Sequence, residues 1–458
     1  MADVMILAAG LGTRMKSRRA KVLHKLAGKP LIAYAVRAAL GVSPESLIVV
    51  VGHGAEEVEN AVRGEFARSN PHPPELVFAL QSERRGTGHA VMTATEFIKA
   101  RTGPLVIIAG DGPLLKGETL TSLLESHKSE GNDATMLTAI MADPAEYGRI
   151  VRSESGQFVR SVEKRDATPE QLRIKEVAVS IYCFEIPPLL NALGSLSDDN
   201  AQHEYYLTDV PAILLARGRR VGLHVHPDSG EVAGINTRVE LAALERGIRQ
   251  RKLTELMLDG VTIIDPDSTY IEQGVVVGQD TVINPQAIVE GDSKIGRDCT
   301  IGSWTRLKNV IIEDGVTVKD SCVIEDSIIR TGASVGPFAR LRNNAEIGEG
   351  SAIGNFVEVK KSKIGRKTKA SHLTYLGDAI LGDRVNIGAG TVTCNYDGIR
   401  KNETIIEDDV KIGSDTMLVA PVRVGRGSVT GAGAVVTKDV PADSLAVGVP
   451  AVVKKKAK

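Results

Sequence analysis

Two patterns of hydrophobic residues divide the chain into unlike halves. In the first half, short uninterrupted aliphatic runs alternate with stretches of helical spacing. Uninterrupted runs are typical of strands buried on both faces of a mainly parallel sheet. We therefore predict an α/β domain over residues 1–235, with helices at 30–40 and 87–99 and strands at 4–9, 47–51, 76–79, 105–109 and 134–140.

Residues 236–260 have the pattern of a single helix. Apolar residues recur there near helical spacing among many charges, and Gly260 is a plausible stop signal. We predict a helical linker between two domains, with its apolar positions at Leu241, Leu244, Ile248, Leu253 and Leu256.

A short repeat replaces these patterns from about residue 262. Twelve aliphatic-Gly pairs lie between Val277 and Gly425, and seven of the eleven intervals between them (18, 6, 12, 6, 12, 6 and 12) are multiples of six. A six-residue period predicts a parallel β-helix, in which three hexads make one triangular coil. A β-rich domain with coincidental glycines is the alternative. The domain over 261–458 is interrupted by a polar run at 393–402, which we predict to be a functional loop.

Composition narrows the classes of function. The 458 residues carry 56 Lys and Arg against 57 Asp and Glu, a balance that argues against a nucleic-acid binder. No apolar run approaches the roughly 20 residues that span a bilayer, so we expect no membrane partner. The first residues lack a signal-peptide pattern, and the four cysteines lack metal-site spacing. We therefore expect a reducing, cytoplasmic location.

A candidate phosphate loop follows the first predicted strand. Gly10 and Gly12 let a backbone approach a ligand closely, and N–H groups in such a turn can bind phosphates. Arg14 and Lys21 would add positive charge for a triphosphate. A glycine turn after a strand is often only a turn, so the two cations carry most of this hypothesis.

Two further features support a nucleotide site. Gly86 and Thr87, preceded by Gln81, could offer hydrogen bonds to a base, although a plain helix N-terminus is an equal alternative. Asp111 follows a buried strand, at the edge where open α/β sheets bind ligands. Beside a triphosphate this carboxylate implies Mg²⁺, whereas a surface turn is the other interpretation.

The order of these segments and the motifs of the repeat resemble a known family. The diagnostic stretches are 336–342, 354–361, 372–378, 385–390 and 394–398. They resemble the bacterial bifunctional N-acetylglucosamine-1-phosphate uridyltransferases/glucosamine-1-phosphate acetyltransferases over nearly the whole chain. The resemblance implies a Rossmann-like α/β nucleotidyltransferase domain, a linker helix and a left-handed parallel β-helix. It also implies a homotrimer whose acetyltransfer sites lie between neighbouring subunits.

In such enzymes the first half transfers a uridylyl group from UTP to N-acetylglucosamine-1-phosphate, and pyrophosphate leaves. The resemblance implies Mg²⁺ at Asp111 and Asn236, phosphate binding by Arg14 and Lys21, and sugar contacts by Gly148 and Glu163. The uracil and ribose would be held by Leu7, Ala8, Ala9, Gly10, Gln81, Gly86 and Thr87.

The second half of such enzymes transfers acetyl from acetyl-CoA to the amine of glucosamine-1-phosphate. An amine must be deprotonated to attack a thioester, and histidine is suited to that task near neutral pH. The resemblance implies that His372 is the base, oriented by Glu358. It implies sugar-phosphate binding by Arg342, Lys360, Tyr375, Asn386 and Lys401, and acetyl-CoA binding by Ala389, Asn395, Tyr396, Ser414 and Ala432.

The sequence departs from the family pattern at four positions. Ala178 stands where an asparagine would bind sugar, and Gly112 follows Asp111 where Val or Thr is usual. Ala20 replaces the proline before Lys21, and Val449 replaces a late arginine near a CoA phosphate. Loss of one hydrogen bond to the sugar costs about 1 kcal/mol, so weaker sugar binding or a different sugar is expected.

Three functions follow from this sequence. The first is a bifunctional transferase that supplies UDP-N-acetylglucosamine for cell-wall (peptidoglycan) precursors and cell shape. The second is an acetyltransferase with a decayed or sugar-altered nucleotidyltransferase domain, which Ala178 and Gly112 support. The third is a non-enzymatic assembly protein, because a fold alone does not fix a function. The presence of Asp111, Asn236 and His372 favours the two enzymatic functions over the assembly protein.

Overall fold

The computed structural model describes residues 2–69 and 74–455. Its contacts divide the chain into two compact units, Met1–Leu244 and Glu245–Lys458, and the division falls inside the helix Arg238–Leu258. The described helices include none with the length and apolar character needed to cross a membrane.

The first unit is built on a mixed β-sheet. Its nine strands, counted over the described residues, are β1 (Asp3–Leu7), β2 (Ser46–Val51), β3 (Glu75–Leu80), β4 (Pro104–Ala109), β5 (Ala134–Ile140), β6 (Gly148–Arg152), β7 (Phe158–Val162), β8 (Glu176–Glu185) and β9 (Val221–His226). The spatial order along the main path is β9-β5-β8-β4-β1-β2-β3, and β6 and β7 extend from β8.

The predicted strands of the first half are all present. Neighbours β3, β2, β1 and β4 are parallel, as their uninterrupted aliphatic runs predicted. Strand β8 pairs antiparallel with both β4 and β5, so the sheet as a whole is mixed. Parallel β1 and β4 end at the same edge of the sheet, which places the loop after β1 beside the residues after β4.

Helices cover both faces of this sheet. The helices are α1 (Leu31–Leu40), α2 (Ala55–Ser69), α3 (Thr87–Thr93), α4 (Thr95–Ile98), α5 (Gly117–Glu130), α6 (Ile186–Leu193) and α7 (Val210–Ala216). Apolar residues of α1, α2 and α5 pack in one core, and those of α3, α4, α6 and α7 pack in a second core. The helix predicted over 87–99 is divided at Ala94, between α3 and α4.

The second unit is a parallel β-helix with three faces, as the six-residue period predicted. Face 1 has the parallel strands Thr262–Ile263, Val282–Ile283, Thr300–Ile301, Thr317–Val318, Ser334–Val335, Ala352–Asn355, Lys369–His372, Asn386–Ile387, Lys411–Ile412, Val429–Thr430 and Ser444–Val447. A last strand, Val452–Lys455, pairs antiparallel with Ser444–Val447 at the end of this face. Face 2 has Tyr270–Ile271, Ile288–Glu290, Arg306–Lys308, Val323–Glu325, Arg340–Arg342, Glu358–Lys360, Tyr375–Gly377, Val392–Cys394, Met417–Val419 and Val435–Val436. Face 3 has Val276–Val277, Lys294–Ile295, Ile311–Ile312, Ile328–Ile329, Glu346–Ile347, Lys363–Ile364, Ala379–Leu381, Thr404–Ile406 and Val422–Val424.

In most strands one aliphatic residue points into the β-helix and stacks on its counterpart in the next coil; in Val392–Cys394 and Val429–Thr430 the buried residue is a threonine. On face 1, Ile301 pairs in register with Val318, which pairs with Val335, and all three are fully buried. Stacked aliphatic side chains form a continuous core, which explains why the chain needs few aromatic residues. The coil that contains 393–402 is enlarged by a hairpin closed at Tyr396 and Lys401, so the predicted interruption is present.

Helix α8 (Arg238–Leu258) coincides closely with the linker helix predicted over 236–260. Its last turns carry Leu253 and Leu256 into the same core as the first coils of the β-helix. Arg249 also lies over the ring of Tyr270, 4.0 Å from its centroid. The second half of the helix therefore covers apolar side chains of the first coils.

Candidate functional site

A cavity of about 730 Å³ opens in the first unit. It lies at the edge where β1 and β4 end, which is where open α/β sheets bind ligands. All residues that sequence analysis assigned to the uridylyl transfer line it, namely Leu7, Ala8, Ala9, Gly10, Arg14, Lys21, Gln81, Gly86, Thr87, Asp111, Gly148, Glu163 and Asn236. The fold thus brings these residues together, while their individual roles remain predictions.

The loop after β1 has the close backbone approach that its glycines predicted. Gly12 has φ +62°, and a Cβ there would lie 2.5 Å from the Cβ of Lys21. A larger residue at this position would therefore require the Lys21 side chain to move. Gly10 has no atom within 4 Å of a Cβ position, so its side is open toward the cavity.

Four polar side chains meet at the centre of this cavity. The ammonium group of Lys21 contacts the carboxylate of Asp111, and it lies 2.8 Å from Asn236 Oδ1. The same oxygen accepts a hydrogen bond of 2.9 Å from Arg14. Glu240 fixes Asn236 from behind by accepting a hydrogen bond of 2.6 Å from its backbone N–H. Two cations and two oxygen-bearing side chains therefore converge where a phosphate chain would pass.

The donor set at this point suits magnesium. A side-chain oxygen of Asp111 and one of Asn236 both contact the same positive group, the ammonium of Lys21. Magnesium prefers oxygen ligands and takes few from the protein when substrate phosphates supply the others. No cluster of three or more His, Cys, Asp or Glu residues suited to a metal occurs among the described residues. A site here therefore depends on substrate phosphates or water for its remaining ligands.

Hydrogen bonds, an ion pair and a close backbone contact hold the wall that was predicted to face the base. Gln81 is buried and donates to the carbonyl of Gly86 at 3.1 Å. Gly86 has φ +98°, and a Cβ there would lie 2.5 Å from the carbonyl oxygen of Tyr205. Arg85 holds the same loop by a 2.9 Å ion pair with Asp198. The alternative prediction for this segment, a helix N-terminus, is also correct, because α3 begins at Thr87. Thr87 lines the cavity as well.

The opposite wall was predicted to face the sugar. Gly148 pairs with Ala178 across β6 and β8, and the carboxylate of Glu163 packs beside Gly148. Glu163 accepts a 3.0 Å hydrogen bond from Thr208, and burial raises the pKa of its carboxyl above the usual value. Ala178 lies in this wall, so the departure noted in the sequence falls inside the cavity.

Several residues that line the cavity belong to no motif that would predict a binding site from the sequence. Tyr147 lines the cavity and accepts a 2.8 Å hydrogen bond from the N–H of Gly234, which holds the segment before Asn236. Thr208 also lines the cavity, beside Asp209, whose pKa is raised to about 6 mainly by burial. These positions come from segments without motifs, and tertiary structure alone brings them to the site.

In the second unit, His372 ends a strand of face 1 and is exposed. Its Nδ1 lies 2.6 Å from Oδ1 of Asn355, the residue directly opposite it in the preceding coil. Glu358 accepts a 2.6 Å hydrogen bond from Arg342. Within one chain, the hydrogen-bond partner of His372 is thus Asn355, which sequence analysis did not assign to the site. Orientation by Glu358 remains a prediction.

The residues predicted for the sugar phosphate lie on adjacent coils. Arg342 and Lys360 are paired in register on face 2, and Tyr375 lies opposite Glu358 in the next coil. Lys401, on the hairpin, lies beside Lys360, and this neighbouring ammonium group lowers the pKa of Lys401. Two neighbouring lysines are suited to a doubly charged anion. Asn386 begins the next strand of face 1 after His372.

The residues predicted for acetyl-CoA form an edge and a hairpin. Asp415, next to Ser414, donates its N–H to the carbonyl of Ala389, and Gly433, next to Ala432, donates to the carbonyl of Ser414. This edge follows face 1 through three successive coils, at Ala389, Ser414 and Ala432. On the hairpin, Asn395 is buried against Asp378 at 2.6 Å and Tyr396 is exposed.

Comparison with known proteins agrees with this architecture. Residues 4–165 match the model of the MobA-like NTP transferase domain, residues 270–349 match the GMPPB C-terminal domain, and residues 403–438 match the bacterial transferase hexapeptide (six repeats). The chain is 46% identical over 443 residues to the bifunctional protein GlmU of Pelobacter propionicus, with 97% of this chain and 95% of that protein covered. It is 45% identical to the bifunctional protein GlmU of Syntrophomonas wolfei, with 97% of each chain covered. With relatives of this identity matched over nearly their full length, the chain belongs to the family of bifunctional GlmU proteins.

Proposed function

We propose that the chain is a bifunctional transferase that makes UDP-N-acetylglucosamine in two steps. The second unit transfers acetyl from acetyl-CoA to glucosamine-1-phosphate, and the first unit transfers a uridylyl group from UTP to the product. The single observation that carries the proposal is the convergence of Lys21, Asp111 and Asn236 inside the 730 Å³ cavity. For the second unit, the pairing of His372 with Asn355 supports it.

In the uridylyl transfer, an oxygen of the sugar phosphate attacks the α-phosphorus of UTP and pyrophosphate leaves. No covalent enzyme group is needed, so the chain's contribution is position and charge. Arg14 and Lys21 bind phosphate oxygens, and Glu163 and the Gly148 backbone orient the sugar. Mg²⁺ bound by Asp111 and Asn236 would neutralise phosphate charge and would leave Lys21 free to bind the leaving pyrophosphate.

In the acetyl transfer, the amine nitrogen attacks the thioester carbonyl and the CoA thiolate leaves. An Nδ1–H of His372 that donates to Asn355 leaves a lone pair on Nε2. That nitrogen takes a proton from the attacking amine, and the proton later neutralises the thiolate. Lys360, Lys401 and Arg342 hold the phosphate of the sugar during this step.

We also propose that the active form is a homotrimer. One corner of the β-helix carries exposed apolar side chains on successive coils: Phe338, Phe356 and Leu373 are 54%, 55% and 62% exposed. The two phenylalanine rings stack with centroids 5.4 Å apart. This apolar corner directly follows Asn355 and His372, so a second copy that covers it would also complete the site around His372. Cyclic closure by three copies would cover this corner on each copy.

An acetyltransferase with a sugar-altered first unit is the second candidate, because Ala178 lies in the cavity wall without a polar side chain. The test that separates the two is pyrophosphate release from UTP and N-acetylglucosamine-1-phosphate, with Mg²⁺ and with EDTA. Metal-dependent release supports the bifunctional enzyme. No release, in a sample that acetylates glucosamine-1-phosphate, contradicts it and favours the second candidate.

A further inference from the structure

Ser180 has a backbone conformation that its residue type disfavours. Its φ is +58°, in the left-handed region, although it lies within strand β8. The register between β8 and β5 shifts at this point, between Ala178 and Tyr182. Non-glycine residues keep such a conformation only where their surroundings impose it, and these residues cluster at functional sites.

The side chain of Ser180 lies at the cavity wall. Ser180 is half-buried and lines the cavity together with Glu163 and Thr208. Tyr182, two positions further along β8, is buried. A serine hydroxyl has one donor and two acceptor positions. At the cavity wall, this hydroxyl can therefore donate a hydrogen bond to a ligand or accept one from it.

The neighbouring positions of β8 offer no alternative polar group. Ala178 and Val179 also line the cavity, and both have apolar side chains. Ser180 is therefore the residue of this stretch whose side chain can hydrogen-bond a ligand. A sugar presents hydroxyl or amide groups that lose affinity when they are buried without partners. Ser180 lies two residues after Ala178, which pairs with Gly148 on the wall assigned to the sugar.

We propose that Ser180 contacts the sugar ring or its acylamino group and sets discrimination among hexose 1-phosphates in the uridylyl transfer. This inference rests on the proposed function of the first unit. It makes Ser180 a specificity residue that acts on substrate binding, while the phosphate chemistry stays with Arg14 and Lys21.

The test uses the full-length chain and three variants. Ser180→Ala removes the hydroxyl and keeps a Cβ, and Ser180→Gly removes the hydroxyl and relieves the backbone. Ser43→Gly is the matched control, because Ser43 also has a positive φ (+50°) and does not line the cavity. Pyrophosphate release is measured against N-acetylglucosamine-1-phosphate, glucose-1-phosphate and UTP, and thermal unfolding is measured in parallel.

Both Ser180 variants are expected to raise the KM for N-acetylglucosamine-1-phosphate about fivefold, which corresponds to one lost hydrogen bond. The KM for UTP and kcat should stay within about twofold, and the preference over glucose-1-phosphate should change. Ser43→Gly should leave every kinetic constant unchanged. Ser180→Gly should also unfold at a higher temperature than Ser180→Ala, so one variant remains folded even if the alanine variant does not.

Unchanged sugar KM and unchanged sugar preference in both Ser180 variants would overturn the inference and leave Ser180 a structural residue. Failure of the proposed function is recognised separately and earlier, because the unsubstituted chain would then release no pyrophosphate with either sugar phosphate. A parallel rise in the KM for UTP would also contradict the inference, since it would indicate general damage to the cavity.

Discussion

The ammonium nitrogen of Lys21 lies 2.8 Å from the amide oxygen of Asn236. The two residues are separated by 215 positions, and the contact joins the loop after β1 to the segment before α8. Asp111 contacts the same ammonium group. In this arrangement Lys21 neutralises the carboxylate that we assign to magnesium, so substrate and metal binding must rearrange the same cluster.

Replacement of Lys21 by methionine keeps most of the length of the side chain and removes its charge. We expect kcat/KM for pyrophosphate release to fall by about 10²–10³, the usual loss when one charge-stabilising group is removed from a transition state. Acetyl transfer by the second unit should be unchanged. Lys25→Met is the matched control, because Lys25 lies on the same segment and is exposed outside the cavity. Equal activity of the two variants would remove Lys21 from the site.

The raised pKa of Asp209 predicts a pH dependence of stability. Burial raises this pKa to about 6, whereas its ordinary value is 3.8. Between these values the folded state binds a proton that the unfolded state has released, so the free energy of unfolding falls as pH rises from about 4 to about 6. Stability from this group is fully present below pH 4 and is lost above pH 6.

Asp209→Asn removes this titration, and we expect a flatter profile of urea midpoint against pH for the first unit between pH 4 and 6. Asp199→Asn, at an exposed position ten residues before Asp209, provides the control and should keep the slope of the unsubstituted chain. Parallel profiles for the chain and Asp209→Asn would show that Asp209 has an ordinary pKa.

Much of the fold follows from local patterns in the sequence. Inward aliphatic residues of the β-helix recur once in each coil. The repeat therefore predicts the positions of Ile301 and Val335 from the local sequence alone. The parallel strands of the first unit are readable for the same reason. The antiparallel insertion of β8 between β4 and β5 depends on pairing with distant strands, and no local pattern marks it.

The candidate sites divide in the same way. Glycines and cations near β1 predicted a phosphate site because a turn of that type is a local feature. The partnership of Asn355 with His372 depends on register between two coils, 17 residues apart. The left-handed conformation of Ser180 depends on a register shift inside the sheet. Contacts of this kind arise only when the whole unit folds.

The exposed apolar corner predicts an effect on assembly. Phe356→Ser should convert a trimer to monomers, since it removes an apolar side chain from the surface that we assign to the neighbouring copy. Acetyl transfer should fall with the loss of the trimer, while uridylyl transfer persists. Light scattering gives the mass, and Ile311→Ser, an exposed apolar position on face 3, is the control. A chain that is monomeric before substitution would contradict the trimer.

The last prediction concerns the residue that holds His372. If Asn355 fixes the tautomer, Asn355→Ala should lower kcat for acetyl transfer about tenfold and should change the pH profile of kcat, because the imidazole loses the acceptor for its Nδ1–H. The KM for glucosamine-1-phosphate should change little, since Arg342, Lys360 and Lys401 hold the phosphate. His372→Ala should lower kcat further, by about 10²–10⁴, because it removes the base itself.

Asn344→Ala, at an exposed corner one coil away, is the control and should leave the pH profile unchanged. A general loss of structure would lower the rate at every pH alike, whereas loss of the Asn355 hydrogen bond shifts the pH at which the rate rises. An unshifted profile in Asn355→Ala would therefore assign the orientation of His372 to another group, with Glu358 the first to test.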